Sequence, residues 1–283
     1  MPLDDFQKVI LHVLKENRNE KSFVAGGSML HLYGSRLSGD LDIFHKNKME
    51  QENAFQKDIS LLQKKDYYVD DIKTNIIHKE YKEGEYPVTL QYSAFNEPTF
   101  FPLIEDEDII RLHIIDLAIN KCCAFIERTV ERDYYDMIFI HNNIMPLWHL
   151  FYVTSDRLQD FNPFSLAEFF DKKLRFEKFN FSNLENSLIE YISEKDLKTS
   201  FSNIITDTKN DLDVVRNNIV LREHVGHILL DDDHNIITNP NALPHKINCL
   251  DLQEETFIVK NEPIDMKIMN NIKNNFPDNG YTM

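Results

Sequence analysis

Residues Ala25 to Phe44 read AGGSMLHLYGSRLSGDLDIF, and the reading of that stretch decides the fold. The chain has seven glycines in 283 residues, and Gly26, Gly27, Gly34 and Gly39 all fall here, just ahead of Asp40-Leu41-Asp42-Ile43-Phe44. Glycine permits backbone conformations and close approaches that a Cβ forbids, so this concentration marks a place where the chain must turn or lie close to something. Two aspartates at i and i+2 on a strand share one face, with α-carbons about 7 Å apart. Leu41 then turns into a core while Asp40 and Asp42 converge. Converging carboxylates repel unless a cation lies between them. Mg²⁺ (or Mn²⁺) suits such a pair, because it takes a few carboxylate oxygens and shares its other positions with substrate phosphates. Gly26-Gly27-Ser28 fits the same ligand, since backbone N–H groups at a helix start, with a hydroxyl beside them, can meet a phosphate. Each piece alone also reads as a capped turn or a solvated strand end. Their joint spacing favours a nucleotide–metal site.

Working outward, the apolar rhythm of Phe6, Val9, Ile10, Val13 and Leu14 predicts a helix within residues 1–19. Residues 21–25 read as a strand feeding the Gly-Gly turn, 29–33 as a short helix capped by Ser28, and 41–44 as a buried strand. A helix is expected over 52–64, with strands over 67–79 and 88–95 joined by the turn-prone stretch 81–87. Residues 111–140 read as a long helical stretch with a break near Thr129-Val130. After Met145-Pro146 the composition shifts: residues 145–283 hold 18 asparagines and only two glycines, and the spacing becomes mostly helical, clearest over 166–176, 184–192 and 204–229. Phe161, Phe164, Phe169 and Phe170 fit a helical core, and Trp148 fits packing between domains. The expected fold class is α+β, with a small mixed sheet and helices in a first domain (1–145) and a mainly α-helical, bundle-like second domain (146–283).

A second stretch, DLAINKCCAFIERTVERDYYDMIFI (Asp116–Ile140), carries charge in a pattern. On one continuous helix Lys121, Arg128 and Arg132 lie within about 40° of one another, with Asp136 about 60° from Lys121. Such a cationic stripe can grip a triphosphate and the charge that develops as a nucleotidyl group is transferred. The same residues can equally lace an exposed face with local ion pairs.

The two stretches resemble the AbiEii-type nucleotidyltransferases, in the superfamily that includes DNA polymerase β, many of them toxins of toxin–antitoxin pairs. The first motif is matched by Gly26-Gly27-Ser28, Gly34, Arg36, Ser38 and Asp40-Leu41-Asp42-Ile43-Phe44. The second is matched by Lys121, Ala124, Arg128, Arg132, Asp133 and Asp136. The resemblance covers about residues 22–140. It implies a polymerase-β-like first domain and transfer of a nucleotidyl group from an NTP to a hydroxyl on RNA, such as a tRNA, or on protein. It also implies an antitoxin protein as a partner. By position, it gives catalytic roles to Asp40, Asp42, Lys121 and Asp136, with Mg²⁺ or Mn²⁺ on Asp40 and Asp42. Nucleotide binding falls to Gly26, Gly27, Ser28, Arg36, Ser38, Lys121 and Arg128. The resemblance further implies that Lys121 points towards the phosphates and that Asp136 makes an essential polar contact near the site.

One position departs from that pattern. Two-metal transferases place a third carboxylate on a neighbouring strand. The natural strand is Val88-Thr89-Leu90-Gln91-Tyr92, where Gln91 stands. A carboxylate from Glu83, Glu85 or the run Glu105–Asp108 can substitute, or the site works with two aspartates and one metal. Otherwise the chain is a nucleotide-binding or interaction module that does not transfer. The formal charge of −16 argues against an extended nucleic-acid face, since phosphate neutralisation supplies most of such affinity. No apolar run approaches a membrane span, and the N-terminal stretch carries acids where a secretion signal has lysine or arginine. Cys122, Cys123 and Cys249 make neither a disulfide framework nor a zinc pattern, so a reduced, cytoplasmic protein with no membrane partner is expected.

Overall fold

The first helix starts with a reciprocal cap. In α1 (Asp5–Leu14) the Asp4 carboxylate accepts from the Gln7 N–H at 2.7 Å, while Gln7 Oε1 accepts from the Asp4 N–H at 3.1 Å. The other end of the Gln7 amide donates to the Ser38 carbonyl at 2.7 Å, so the helix also fixes the turn ahead of Asp40. The computed structural model describes residues 3–70, 76–78, 88–106, 109–128, 130–176, 180–218, 221 and 223–276.

Strand β1 (Ser22–Ala25) runs straight into α2 (Gly26–Leu30), and β2 (Asp40–His45) returns antiparallel to β1 with Ala25 opposite Asp42. The helix begins at Gly26 rather than at Met29, which puts Ser28 inside it instead of at its cap. Alternation along β2 buries Leu41 and Ile43 completely and leaves Asp40 and Asp42 part-exposed on the opposite face. Helix α3 (Lys48–Lys64), capped by Asn47, forms the crossover to β5 (Val88–Ala94), which lies parallel to β2 with Asp42 opposite Gln91. The fully buried Asp58 of α3 is paired with Arg18 and receives the Tyr92 hydroxyl at 2.9 Å and the Asn17 amide at 2.8 Å. A buried carboxylate is tolerable only when satisfied in this way, and here it locks the crossover helix to β5.

The sheet continues through β3 (Tyr68–Asp70) and β4 (Ile76–His78) on one side, and β6 (Leu103–Asp106) and β7 (Ile109–Arg111) on the other. A short C-terminal strand (Ile258–Val259) pairs parallel to β6. The eight strands follow the order C-terminal strand–β6–β7–β1–β2–β5–β4–β3. The strand expected over 67–79 thus becomes β3 and β4, and the stretch 81–87 lies outside the described residues. Behind the C-terminal strand, Asp265 in the first turn of the last helix (Pro263–Asn275) takes both arms of the buried Arg111 guanidinium. Burial alone would raise the Asp265 carboxyl, but Arg111 holds it below the usual carboxylate range. Removing one partner from such a pair costs about 3–5 kcal/mol, so the tail is an integral part of the sheet that it joins.

Two units result, and they divide the chain differently from the expected 145/146 boundary. One comprises residues 1–117 and 253–283, the other residues 118–252. The boundary falls within α4 (Ile114–Glu127), and the tail belongs to the sheet because its strand and Asp265 pair there. Composition alone shows neither fact. The second unit is helical: the rest of α4, α5 (Glu131–Asn143), α6 (Leu147–Thr154), α7 (Pro163–Phe176), α8 (Ser182–Glu185) and α9 (Glu194–Asn217). Phe125, Tyr134, Phe151, Phe170 and Phe201 form its core in ring-to-ring contact. Trp148 belongs to this unit, its indole N–H donating to Thr238 O at 3.0 Å. The helix expected over 184–192 stops at Glu185, and that expected over 204–229 runs instead from Glu194 to Asn217. Ile228-Leu229-Leu230 forms β8, paired with β9 (Asn248–Leu250); a short run of buried apolar residues fits either period. The fold class is α+β, as expected, and among the described residues no helix is long and apolar enough to cross a membrane.

His149 of α6 is fully buried between two backbone groups. Its Nε2 accepts from the Leu229 N–H at 3.0 Å, so Nδ1 must carry the proton donated to Ile237 O at 3.1 Å. Protonating Nε2 would set an N–H against an N–H. Burial pushes the imidazole from 6.5 down to about 4. The unfolded chain therefore binds the extra proton first, and stability falls as the pH drops from about 6.5 to about 4. We expect the midpoint of thermal unfolding to decline across that window. It should decline less steeply in His149→Gln, whose amide can donate and accept at the same two places without titrating.

Candidate functional site

Four elements of the first unit bring the predicted aspartates together with the glycine turn. Gly26 takes a φ of +71°, a left-handed conformation that costs other residues energy. A Cβ on Gly26 would stand 1.7 Å from Asp42 Oδ2, so the Asp42 carboxylate occupies the very space a side chain would fill. Asp40, two residues earlier on the same face, is held at both oxygens. The Ser38 hydroxyl reaches Oδ1 at 3.0 Å and the Asp40 carbonyl at 3.1 Å, and the Gln91 amide donates to Oδ2 at 2.7 Å. A carboxylate can only accept here, which fixes the Gln91 amide with its nitrogen towards Asp40. The neighbouring strand expected to bear a third carboxylate is therefore β5, and the residue there is an amide donor.

The remaining first-motif residues support this arrangement from behind. Arg36 is buried; a Cβ on Gly27 would stand 2.8 Å from its Nη2, and its Nη1 donates to Leu37 O at 3.0 Å. Ser28 is fully buried, with its hydroxyl directed to Ala25 O at 3.4 Å rather than outward. Ser38 spends its hydroxyl on Asp40. Arg36, Ser38 and Ser28 thus shape the turn, and Gly26 and Gly27 are where its backbone comes close to other groups. Helix α2 has only five residues. Any anion there would meet individual N–H groups rather than a developed dipole.

The second motif forms its own cluster in the second unit. Lys121 on α4, nearly buried, lies 2.8 Å from Asp136 and 3.2 Å from Asp133 on α5, both fully buried. Arg128 adds a second cation to Asp133 at 3.0 Å. The continuous helix needed for a cationic stripe is absent: α4 ends at Glu127, Val130 is extended, and α5 begins at Glu131. The buried Lys173 covers the end of α4, its ammonium donating to the Phe125 and Arg128 carbonyls. The break folds the acids of α5 back onto Lys121, so the group balances two cations against two carboxylates. Arg132 lies in the first turn of α5.

The substitute carboxylates are engaged elsewhere or undescribed. Glu105 pairs with Lys260 at 3.3 Å and Asp106 with Arg111 at 3.4 Å, whereas Glu83, Glu85, Glu107 and Asp108 lie outside the described residues. Among the described residues, no group of three or more His, Cys, Asp or Glu side chains gathers around a metal position.

No family model matches this sequence, and no curated protein matches it. Among solved structures, the chain is similar to JHP933 from Helicobacter pylori. The TM-score is 0.52 at 17% identity, over 78% of this chain and 97% of that one. The likeness is one of fold. A second H. pylori structure, described as a "putative nucleotidyltransferase", covers 75% of this chain and 98% of its own at 16% identity. Its TM-score is 0.45.

The Gly26–Asp42 contact gives a direct test. Gly26→Ala combines a steric collision with an unfavourable φ and should lower the stability measured by urea denaturation by about 2 kcal/mol or more. Gly39→Ala, where an added Cβ meets nothing within 4 Å, should fall within about 0.5 kcal/mol of the parent.

Proposed function

We propose that the first unit carries out metal-dependent nucleotidyl transfer from an NTP to a hydroxyl acceptor. The observation that carries this reading is the placement of Asp42 directly against the Gly26 backbone, with Asp40 anchored beside it. Two carboxylates on one strand face are hard oxygen donors of the kind Mg²⁺ or Mn²⁺ prefers, so Asp40 and Asp42 fit as its protein ligands. Such an ion neutralises phosphate charge as the transfer proceeds. The missing Cβ at Gly26 lets the Asp42 carboxylate lie directly against the turn whose N–H groups a phosphate chain would meet, and Gly27 leaves room for the Arg36 guanidinium behind it. The acceptor oxygen bonds to the α-phosphorus, the bond to the bridging oxygen breaks, pyrophosphate leaves, and the hydroxyl proton passes to solvent. Ser38 and Gln91 keep Asp40 from swinging away, and Arg36 supports the turn under Gly27.

The resemblance of both motifs to AbiEii-type transferases supports an RNA acceptor such as a tRNA, or a protein side chain, and an antitoxin partner. The proposed metal and phosphate contacts lie in the first unit; Lys121, Arg128 and Asp136 belong to a charge-balanced group, in which Asp136 makes its polar contact to Lys121. Gln91 favours one alternative, a nucleotide-binding module without transfer, because an amide cannot take a proton from an acceptor.

Incubating the protein with each α-labelled NTP, Mg²⁺ or Mn²⁺, total RNA and cell extract separates the two. Label should appear on a macromolecule and drop by about 10²-fold or more in the Asp40→Ala/Asp42→Ala variant. Label that persists undiminished in that variant removes the site assignment, and bound nucleotide without any label supports the binding module.

A further inference from the structure

The three polar side chains that meet on the β2–β5 face are two carboxylates and one amide, and their charges add to −2. On β5, the strand that would offer a second metal ion its carboxylate, Gln91 instead turns its N–H₂ towards Asp40 at 2.7 Å. The amide is an active part of the arrangement. Asp42 and Gln91 are paired directly across the parallel strands, and the Gln91 side chain reaches diagonally to Asp40. With the Ser38 hydroxyl on Oδ1, both oxygens of Asp40 already accept one hydrogen bond each. Each keeps a lone pair, since an ionised carboxylate offers about four acceptor sites. Asp42, against Gly26, is differently placed, beside the turn that the phosphates are to approach.

Resting on the functional reading above, we infer that this is a one-metal site, and that Gln91 is a positioning residue that makes it so. Gln91 fixes the Asp40 carboxylate beside Asp42 and occupies, as a donor, the place from which a third carboxylate would bind a second ion. The substrate class that follows is a nucleoside triphosphate carrying a single divalent ion, shared between its phosphates and the aspartate pair.

The intact chain would be dialysed against Mn²⁺ and a non-hydrolysable nucleoside triphosphate analogue. Bound metal is then counted by atomic absorption and bound nucleotide by absorbance. The parent should retain one Mn²⁺ per nucleotide. Gln91→Glu, which restores a carboxylate on β5, should retain two. Gln91→Ala adds no ligand and frees Asp40, so it should retain one with affinity weakened several-fold. Two ions on the parent, or one on Gln91→Glu, overturns the inference. Asp42→Asn separates this from the underlying reading: if it retains as much Mn²⁺ as the parent, the aspartate site itself is wrong and the inference goes with it. If Asp42→Asn loses its metal while Gln91→Glu matches the parent, the site stands and the role of Gln91 alone fails.

Discussion

The Asp42 carboxylate and the Gly26 backbone share a space that admits only one side chain, and much of the first unit is arranged to keep them there. The antiparallel pairing of β1 and β2 sets Ala25 opposite Asp42, so the residue after Ala25 lies beside the carboxylate. That residue must lack a Cβ and must accept a φ of +71°, and only glycine does both without strain. The chain then has room to start α2 at once, with no loop between strand and helix. Gln7 from α1 and the buried Arg36 brace the returning turn, and Ser38 and Gln91 brace Asp40. Two acidic side chains on one strand face repel one another, an arrangement that makes physical sense when a cation is to be received.

Three groups of buried charge are handled in the same manner, by pairing within a unit. Arg18 with Asp58 fixes the crossover helix, Arg111 with Asp265 fixes the returning tail, and Lys121 with Asp133 and Asp136 fixes the α4–α5 break. Asp40 of β2 differs from all of these. Asp40 is held by a hydroxyl and an amide, which orient a carboxylate without cancelling its charge.

The sequence carried the local part of this clearly. Glycines before Asp-x-Asp implied a strand, a turn and a second strand with its acids on one face, and β1, α2 and β2 have that form. Gln91 could be placed on the adjoining strand because Val88 to Tyr92 alternates. What depended on pairing across long stretches of chain was hidden. The bond between Arg111 and Asp265 spans 154 positions, and nothing near Asp265 announces it. The break between α4 and α5 was legible near Val130, although the apolar periodicity continues through it. Its consequence was not visible: a stripe of like charge became a balanced cluster once α5 turned back. Buried triplets such as Ile228-Leu229-Leu230 fit both helix and strand, so only tertiary pairing decides them. Ser28 and Arg36 illustrate the same limit for side chains, since a motif gives residue types but not the direction in which they point.

The central claim is that Asp42 and the Gly26 turn together receive a metal–nucleotide complex. Isothermal titration calorimetry with a non-hydrolysable nucleoside triphosphate analogue, in the presence and absence of Mg²⁺, tests it most directly. The account predicts saturable binding with Mg²⁺ and, without it, binding weaker by about a hundredfold, equivalent to about 2.7 kcal/mol. Equal affinity with and without Mg²⁺, or no binding by the folded protein under either condition, would contradict it.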